Sequence, residues 1–318
     1  MARFVLRRLV TMALSLWLII TVTFVIMHSV PGGPFSSEKK APPAVLQNLN
    51  ARYHLDDPHW KQYLDYLGGL AAGDLGPSFK YDRTVNEIIS QCFPVSALLG
   101  AVTVLFSLAV GLSLGVVAAW RPNCWPDYAA LGLSTIGFSV PSFILSGLLM
   151  YLFAFRLNWL PPAMWGGWQH LVMPVLALSA LPTAFIARLM RSSLLEVLRQ
   201  DYIRTARAKG LSPAGILFNH ALKNSLLPVV TYLGPLVAGV FTGSFVVETI
   251  FAVPGLGRYF VTGVLNRDYT LILGLTIFYA FFLMLMNLLV DLVYLLLDPR
   301  IRLAGSGGDR DGLQKAQG

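Results

Sequence analysis

Few side chains in this sequence are suited to chemistry, and they are scattered. Glu248 closes one apolar run, and Asp291 interrupts another with Asn287 one turn earlier on the same helical face. A charge at the centre of an apolar span costs about 2.5–3.5 kcal/mol on insertion scales, so such groups pair within a bundle or mark a pathway. Both carboxylates stand towards the ends of their runs, where water lowers that cost. Ion-coupled transport would want carboxylates at the middle of a span together with inverted repeats, and the sequence offers neither. Glu248 leaves two readings open, an outer gate or a helix-end anchor. Asp291 with Asn287 reads as a hydrogen-bonding site inside the bundle. No G-x-x-x-x-G-K-[ST] phosphate loop occurs. A serine hydrolase is poorly supported, because no serine is expected in a strand-to-helix G-x-S-x-G elbow. His28, His54, His59 and His220 form no cluster at metal-ligand spacing, and Cys92 and Cys124 make neither a zinc site nor a disulfide framework. The expectation is a chain that is not an enzyme by itself and binds no cofactor or metal.

The densest group of functional-looking residues runs from Arg188 to Lys223. Leu194, Leu195, Leu198 and Tyr202 share a helical face, while Arg191, Arg199 and Arg204 are expected to stay solvated. Gly210 suits the left-handed position that ends a helix. Ser212-Pro213 suits the start of the next, with Ile216, Leu217 and Ala221 on its apolar face. The predicted unit is a helix–glycine turn–helix hairpin over residues 191–225. Thr205, Ala206 and Ala208 are small and sit just before the turn, so another backbone could approach closely. Two readings remain at this point: a solvated hairpin carrying orienting charge, or a knob that enters a partner's cleft. The first explains the arginines but not the small residues beside Gly210-Leu-Ser-Pro213.

The elements that must hold these residues follow from composition. Of 318 residues, 55% are hydrophobic and 13% charged, about half the charge of a soluble chain, and the mean hydropathy is +0.63. A disordered chain, a nucleic-acid binder and an ordinary soluble enzyme are disfavoured. A spanning helix needs about 20 mostly apolar residues. Such runs occupy Leu9–Val30, Val95–Trp120, Tyr128–Phe155, Leu171–Ala187, Ser225–Val247 and Leu271–Val290, the last continuing to Leu297. The first is too long for a signal-peptide core of roughly 7–15 residues and is expected to be an uncleaved anchor. The fourth is short, holds Pro174 and Pro182, and is expected to bend and continue beyond the membrane. With the N-terminus inside, 15 of the 24 Lys and Arg fall on the inner side, and six of the outer nine lie in one long loop. That bias places both termini in the cytoplasm, with Cys92 outside and Cys124 inside.

That long loop, Pro31–Pro94, carries its own helix signals. Asp57-Pro58 suits a helix start, Trp60, Tyr63, Leu64 and Leu67 form one stripe, and Gly68-Gly69 would end it. Thr84-Val85-Asn86-Glu87 fits a capping box, with Val85, Ile88, Ile89 and Cys92 on one face. The favoured reading is a packed external cap of short amphipathic helices, ahead of a docking surface for an external protein. The resulting division is an N-terminal helix over 1–30, the loop over 31–94, five further spans over 95–297 with the hairpin among them, and a tail over 298–318.

Arg204-Thr-Ala-Arg-Ala-Lys-Gly210, with His220-Ala-Leu-Lys-Asn-Ser-Leu-Leu-Pro228, resembles the cytoplasmic EAA loop of ABC importer permeases, and of their peptide branch in particular. Phe4-Val-Leu-Arg-Arg8, Val30-Pro-Gly-Gly-Pro34, Gly73-Asp-Leu-Gly-Pro-Ser78, Val140-Pro-Ser-Phe143 and Asn158-Trp-Leu-Pro161 continue the likeness. So do Glu248-Thr-Ile-Phe251, Pro254-Gly-Leu-Gly257, Asn266-Arg-Asp-Tyr269 and Leu297-Asp-Pro-Arg300. The stretch Pro42 to Pro58, with Pro77-Ser-Phe-Lys-Tyr81, is similar to the oligopeptide permeases of the B type. The sequence departs from the broad pattern where Arg204 and Thr205 stand for its glutamate and first alanine, so no ion pair of that glutamate carries over. The resemblance implies an all-α integral membrane protein of the type I ABC importer permease fold with six transmembrane helices, in a bacterial inner membrane. It implies a second homologous permease, two ABC ATPase subunits that use ATP and Mg, a periplasmic peptide-binding protein, a peptide substrate and surrounding membrane lipid. The residues it implies for ATPase docking are Arg204, Thr205, Ala206, Arg207, Ala208, Lys209, Gly210, Leu211, Ser212 and Pro213. Dipeptide, nickel or glutathione uptake within the same family is the alternative, with an ion-coupled secondary transporter behind it.

Overall fold

Sequences that are apolar on every face fold as helices in lipid, because hydrocarbon offers no partner to an open backbone donor. The computed structural model describes the backbone of residues 2–31, 53, 55–241 and 245–297, and side chains from 6 to 289 within those ranges. The segment Pro42–Arg52, His54 and the tail from Asp298 onwards lie outside the described residues. Among the described residues the only β feature is an isolated bridge between Pro77 and Thr84. Helix α1 spans Ala2–Ser29, α2 His59–Ala71, α3 Val85–Trp120, α4 Trp125–Ser139 and α5 Ser142–Leu149, which runs into a π-helical turn over Met150–Arg156. Helix α6 spans Gln169–Val197, α7 Asp201–Ala208 and α8 Pro213–Ile216; a π-helical turn over Leu217–Ala221 joins α8 to α9, Leu222–Ser225. Then follow α10 Leu227–Phe241, α11 Phe245–Ile250, α12 Leu256–Asn266 and α13 Tyr269–Leu297. Among the described residues five segments are long and apolar enough to cross a membrane, six if α4 and α5 with its π turn count as one span.

The centre of the bundle is the seam between α3 and α6, the most extensive helix pair in the molecule. Ser96, Gly100, Thr103, Ser107, Gly111, Gly115 and Ala119 recur at three- and four-residue spacing on α3, and all are buried. Lipid gives no hydrophobic drive for helices to associate, so small residues that admit close backbone approach do that work. A β-carbon on Gly115 would stand 2.7 Å from the Ala187 carbonyl oxygen, and one on Gly111 2.9 Å from Ile186. Gly111-Leu-Ser-Leu-Gly115 also fits G-x-S-x-G letter for letter. It lies in mid-helix, where the Ser113 hydroxyl donates to the Ala109 carbonyl at 2.7 Å, and not in a strand-to-helix elbow.

Several elements differ from the sequence expectations. The run Tyr128–Phe155 is two helices bent by 105°. Proline disfavours helical geometry in the residue before it, and Val140 is extended at φ −93°, ψ 116° ahead of Pro141. The loop after α1 does not end at Pro94: α3 begins at Val85 and passes through Pro94 without a break. Pro58, not Asp57, is the N-cap of α2, and Asp57 instead pairs with Lys61 at 2.9 Å. Gly68-Gly69 does not end α2, which continues to Ala71; the turn comes at Gly73, with φ +80°. The Thr84 capping box forms as expected, with Glu87 N–H donating to Thr84 Oγ1 and Thr84 N–H to Glu87 Oε2. Helix α6 runs through both prolines and continues 10 residues past Ala187 to Val197. Cys92 is buried, Cys124 is exposed, and neither is in a disulfide.

Candidate functional site

At one end of the bundle the chain leaves α6, turns over Leu198–Gln200 and forms α7, which ends at a glycine. Gly210 takes φ +79°, a region that costs other residues and not glycine. Gly210 N–H donates to the Arg207 carbonyl at 3.0 Å and Leu211 N–H to the Ala206 carbonyl at 3.3 Å, the paired bonds of a Schellman ending. Ser212 then caps α8, its hydroxyl accepting from Gly215 N–H at 3.2 Å, with Pro213 in the first turn. The two arms are held by one apolar cluster in which Ile203 and Ala206 meet Met190, Leu194, Ile216, Leu217 and Ala221. The Asn224 amide donates to the Tyr202 hydroxyl at 2.8 Å across the neck.

Of the ten residues expected for docking, nine form the exposed tip: Arg204, Thr205, Arg207, Ala208, Lys209, Gly210, Leu211, Ser212 and Pro213. Ala206 does not, because it faces the hairpin's own core. The expected first helix is also broken, since α6 stops at Val197 and a new helix starts at Asp201. The buried face of that new helix is therefore Ile203 and Ala206, and Tyr202 is exposed. Arg199 and Arg204 are solvated, and Arg204 makes only a 3.5 Å contact with Asp201. Arg191 is not: its guanidinium donates to both Asp127 oxygens, at 2.6 and 2.7 Å. Sequence reasoning missed that pair, because nothing local to Arg191 names a partner 64 residues away.

At the other end, Glu248 is fully buried rather than eased by water at an interface. Ser96 Oγ donates to its Oε1 at 2.9 Å and Gly257 N–H to its Oε2 at 2.7 Å, with a further bond from the Arg258 backbone. Leu256 N–H donates to Ser96 Oγ at 3.0 Å. The carboxylate thus receives the open donors of the α12 N-terminus, where a negative group is also favoured by the helix dipole. Gly255 and Gly257 are required beside it: a β-carbon on Gly257 would stand 2.8 Å from Glu248 Oε2. Glu248 thus caps the start of α12 from within α11. A second carboxylate, which sequence reasoning did not single out, closes the same helix. Asp268 is fully buried after α12, and accepts from Ser78 Oγ, from the backbone of Phe79 and Lys80, and from Leu271 N–H. It ties the Gly73–Ser78 turn to the start of α13. Asn287 is half-buried beside a shallow cleft shared with Arg8, Thr11, Met12 and Ser15. Asp291 lies within α13, but its side chain is outside the described residues.

Residues 111–303 match the family described as "Binding-protein-dependent transport system inner membrane component", and residues 1–100 match its N-terminal companion. The chain belongs to this family of inner-membrane permeases. It is 50% identical over 308 residues to a dipeptide transport system permease protein of Bacillus subtilis, covering 96% of this chain and 100% of that one. It is 48% identical over 305 residues to an oligopeptide transport system permease protein of Salmonella typhimurium, with 95% and 100% covered. An amino acid ABC transporter structure shares the fold at TM-score 0.53 and 15% identity, over 65% of this chain and 93% of that one. An inward-facing methionine ABC transporter does so at TM-score 0.51 and 19% identity, over 65% and 96%. The permease is thus an all-helical, multi-pass inner-membrane component with a type I ABC importer fold, and not itself an enzyme.

Proposed function

We propose that this permease forms, with a second homologous permease, the inner-membrane passage for imported peptides, oligopeptides or dipeptides, delivered by a periplasmic binding protein. Two ABC ATPase subunits supply the free energy, using ATP and Mg at their own sites, and this chain binds no cofactor. The hairpin tip from Arg204 to Pro213 docks on one ATPase, and both termini face the cytoplasm. The carrying observation is a tip of small and basic residues that is exposed while its base is locked into the bundle core. A lever needs that combination, a free end for the motor and a fixed end that turns the spans by rigid-body rocking. The peptide class rests on the relatives' printed substrates together with identity near one half across the full chain.

Purification of the tagged chain from its membrane should bring down a second permease and two nucleotide-binding subunits. Gly210→Val, which forces a β-branched residue into a left-handed turn, should insert normally, lose the ATPases and lower peptide uptake at least tenfold. Normal uptake by a well-expressed variant would end the docking reading. Orientation is checked at Cys124, which is exposed. A membrane-impermeant thiol reagent should label it in inverted vesicles and leave it untouched in intact cells.

A further inference from the structure

Asp127 and Arg191 form the most complete ion pair among the described residues, and nothing in the docking reading above uses it. Asp127 sits in the first turn of α4 with its side chain 1% exposed, while Arg191 sits on α6 just before the hairpin, 22% exposed. Both carboxylate oxygens meet the guanidinium fork, at 2.6 and 2.7 Å, and Asn123 N–H donates to Oδ2 at 2.9 Å from a left-handed turn at φ 61°. A two-point fork fixes orientation as well as distance. One turn earlier on α6, Arg188 donates to Thr135 Oγ1 at 3.0 Å and lies over the Phe138 ring, 5.5 Å from its centre. Helix α4 is therefore tied to α6 by two arginines a turn apart, and each holds a different level of α4.

The far end of α4 is built in the opposite way. It stops at Ser139, the chain turns through 105° at Val140-Pro141, and α5 starts afresh. Pro141 brings no N–H with which to continue the helix. The span is thus tied to the hairpin-bearing helix by two arginines at one half, jointed in the middle, and held to α6 at the other half by apolar packing alone, Leu149 and Phe153 lying in one cluster with Met173 and Ala177.

We propose that Asp127 is a positioning residue for transport: its grip on Arg191 makes α4 move as one body with α6 and the hairpin, and the Val140-Pro141 joint absorbs the motion. Force applied at the hairpin then enters the bundle along two helices rather than one. The proposal rests on the docking reading for the source of the force, but the mechanical tie itself does not.

Two measurements on the complete transporter in lipid nanodiscs test it. In the first, peptide moved per ATP hydrolysed is compared between wild type and Asp127→Asn. The ratio should fall about tenfold while the subunits remain assembled, and Arg191→Lys, which keeps the charge but loses the fork, should fall about threefold. In the second, spin labels on native Cys124, at the start of α4, and on a cysteine at exposed position Ala208 report their separation. The distribution should be narrow in wild type and at least twice as broad in Asp127→Asn. A ratio within twofold of wild type overturns the proposal, and so does an unchanged distribution. If the Asn variant fails to assemble, Arg191→Lys decides by the same two readouts. If the ATPases prove not to bind the hairpin, the docking reading falls, while the label pair still decides the tie.

Discussion

The two ends of this permease solve the problem of a helix terminus in opposite ways. At the α12 corner the open donors of Leu256, Gly257 and Arg258 find buried acceptors in Ser96 and Glu248, and Asp268 takes the turn packed after the helix. At the hairpin the turn is satisfied by its own backbone, and the side chains around it point into solvent. The first arrangement spends all its polar groups on fixing one geometry. The second leaves its side chains exposed, as the proposed docking contact requires. Burial thus separates the two ends: the carboxylates of the α12 corner are built into the scaffold, and the basic side chains of the hairpin tip stay exposed.

The contrast is open to breaking from either side. Glu248→Ala should have the largest effect on the folded state, because it strands the Ser96 hydroxyl and the Gly257 and Arg258 donors in a fully buried site. Unmet buried donors cost about 1–3 kcal/mol each, so a loss of about 3 kcal/mol or more is expected, seen as a lower unfolding temperature of the purified chain in detergent. A melting temperature within a degree of wild type would place Glu248 among the free groups and erase the distinction. Arg204→Ala should have the smallest effect. Its pairing with Asp201 is long at 3.5 Å, with side chains 75% and 95% exposed, and such surface pairs contribute little. Stability should stay within about 0.5 kcal/mol, while ATPase co-purification weakens measurably. A clear drop in melting temperature would show that the tip also belongs to the scaffold.

How much of this was legible in the sequence depended on the distance over which each feature acts. The spans were legible because hydrocarbon selects on composition alone. The Thr84–Glu87 capping box, the Gly210 turn and the Ser212-Pro213 start were legible because their partners lie within a few residues. The bend at Val140-Pro141 had a local signal, but the unbroken apolar run around it masked the break. Pro94 misled in the other direction, since a proline inside a membrane helix need not end it. Arg191 was expected in solvent because a basic residue near a hairpin usually is, and Asp127 lies 64 positions earlier. The Glu248 site joins residues 152 positions apart. Its fragments were visible as Glu248-Thr-Ile-Phe and Pro254-Gly-Leu-Gly, but not the fact that the glycines exist to make room for the glutamate.

The glycine seam between α3 and α6 has one further mechanical consequence. At Gly111 and Gly115 the roots of the Ile186 and Met190 side chains and the Thr183 and Ala187 carbonyls press directly on the α3 backbone, and α3 offers no cushion of long side chains to compress. The two helices therefore have little room to slide past one another and are built to shift together, as a stiff pair and not as a spring.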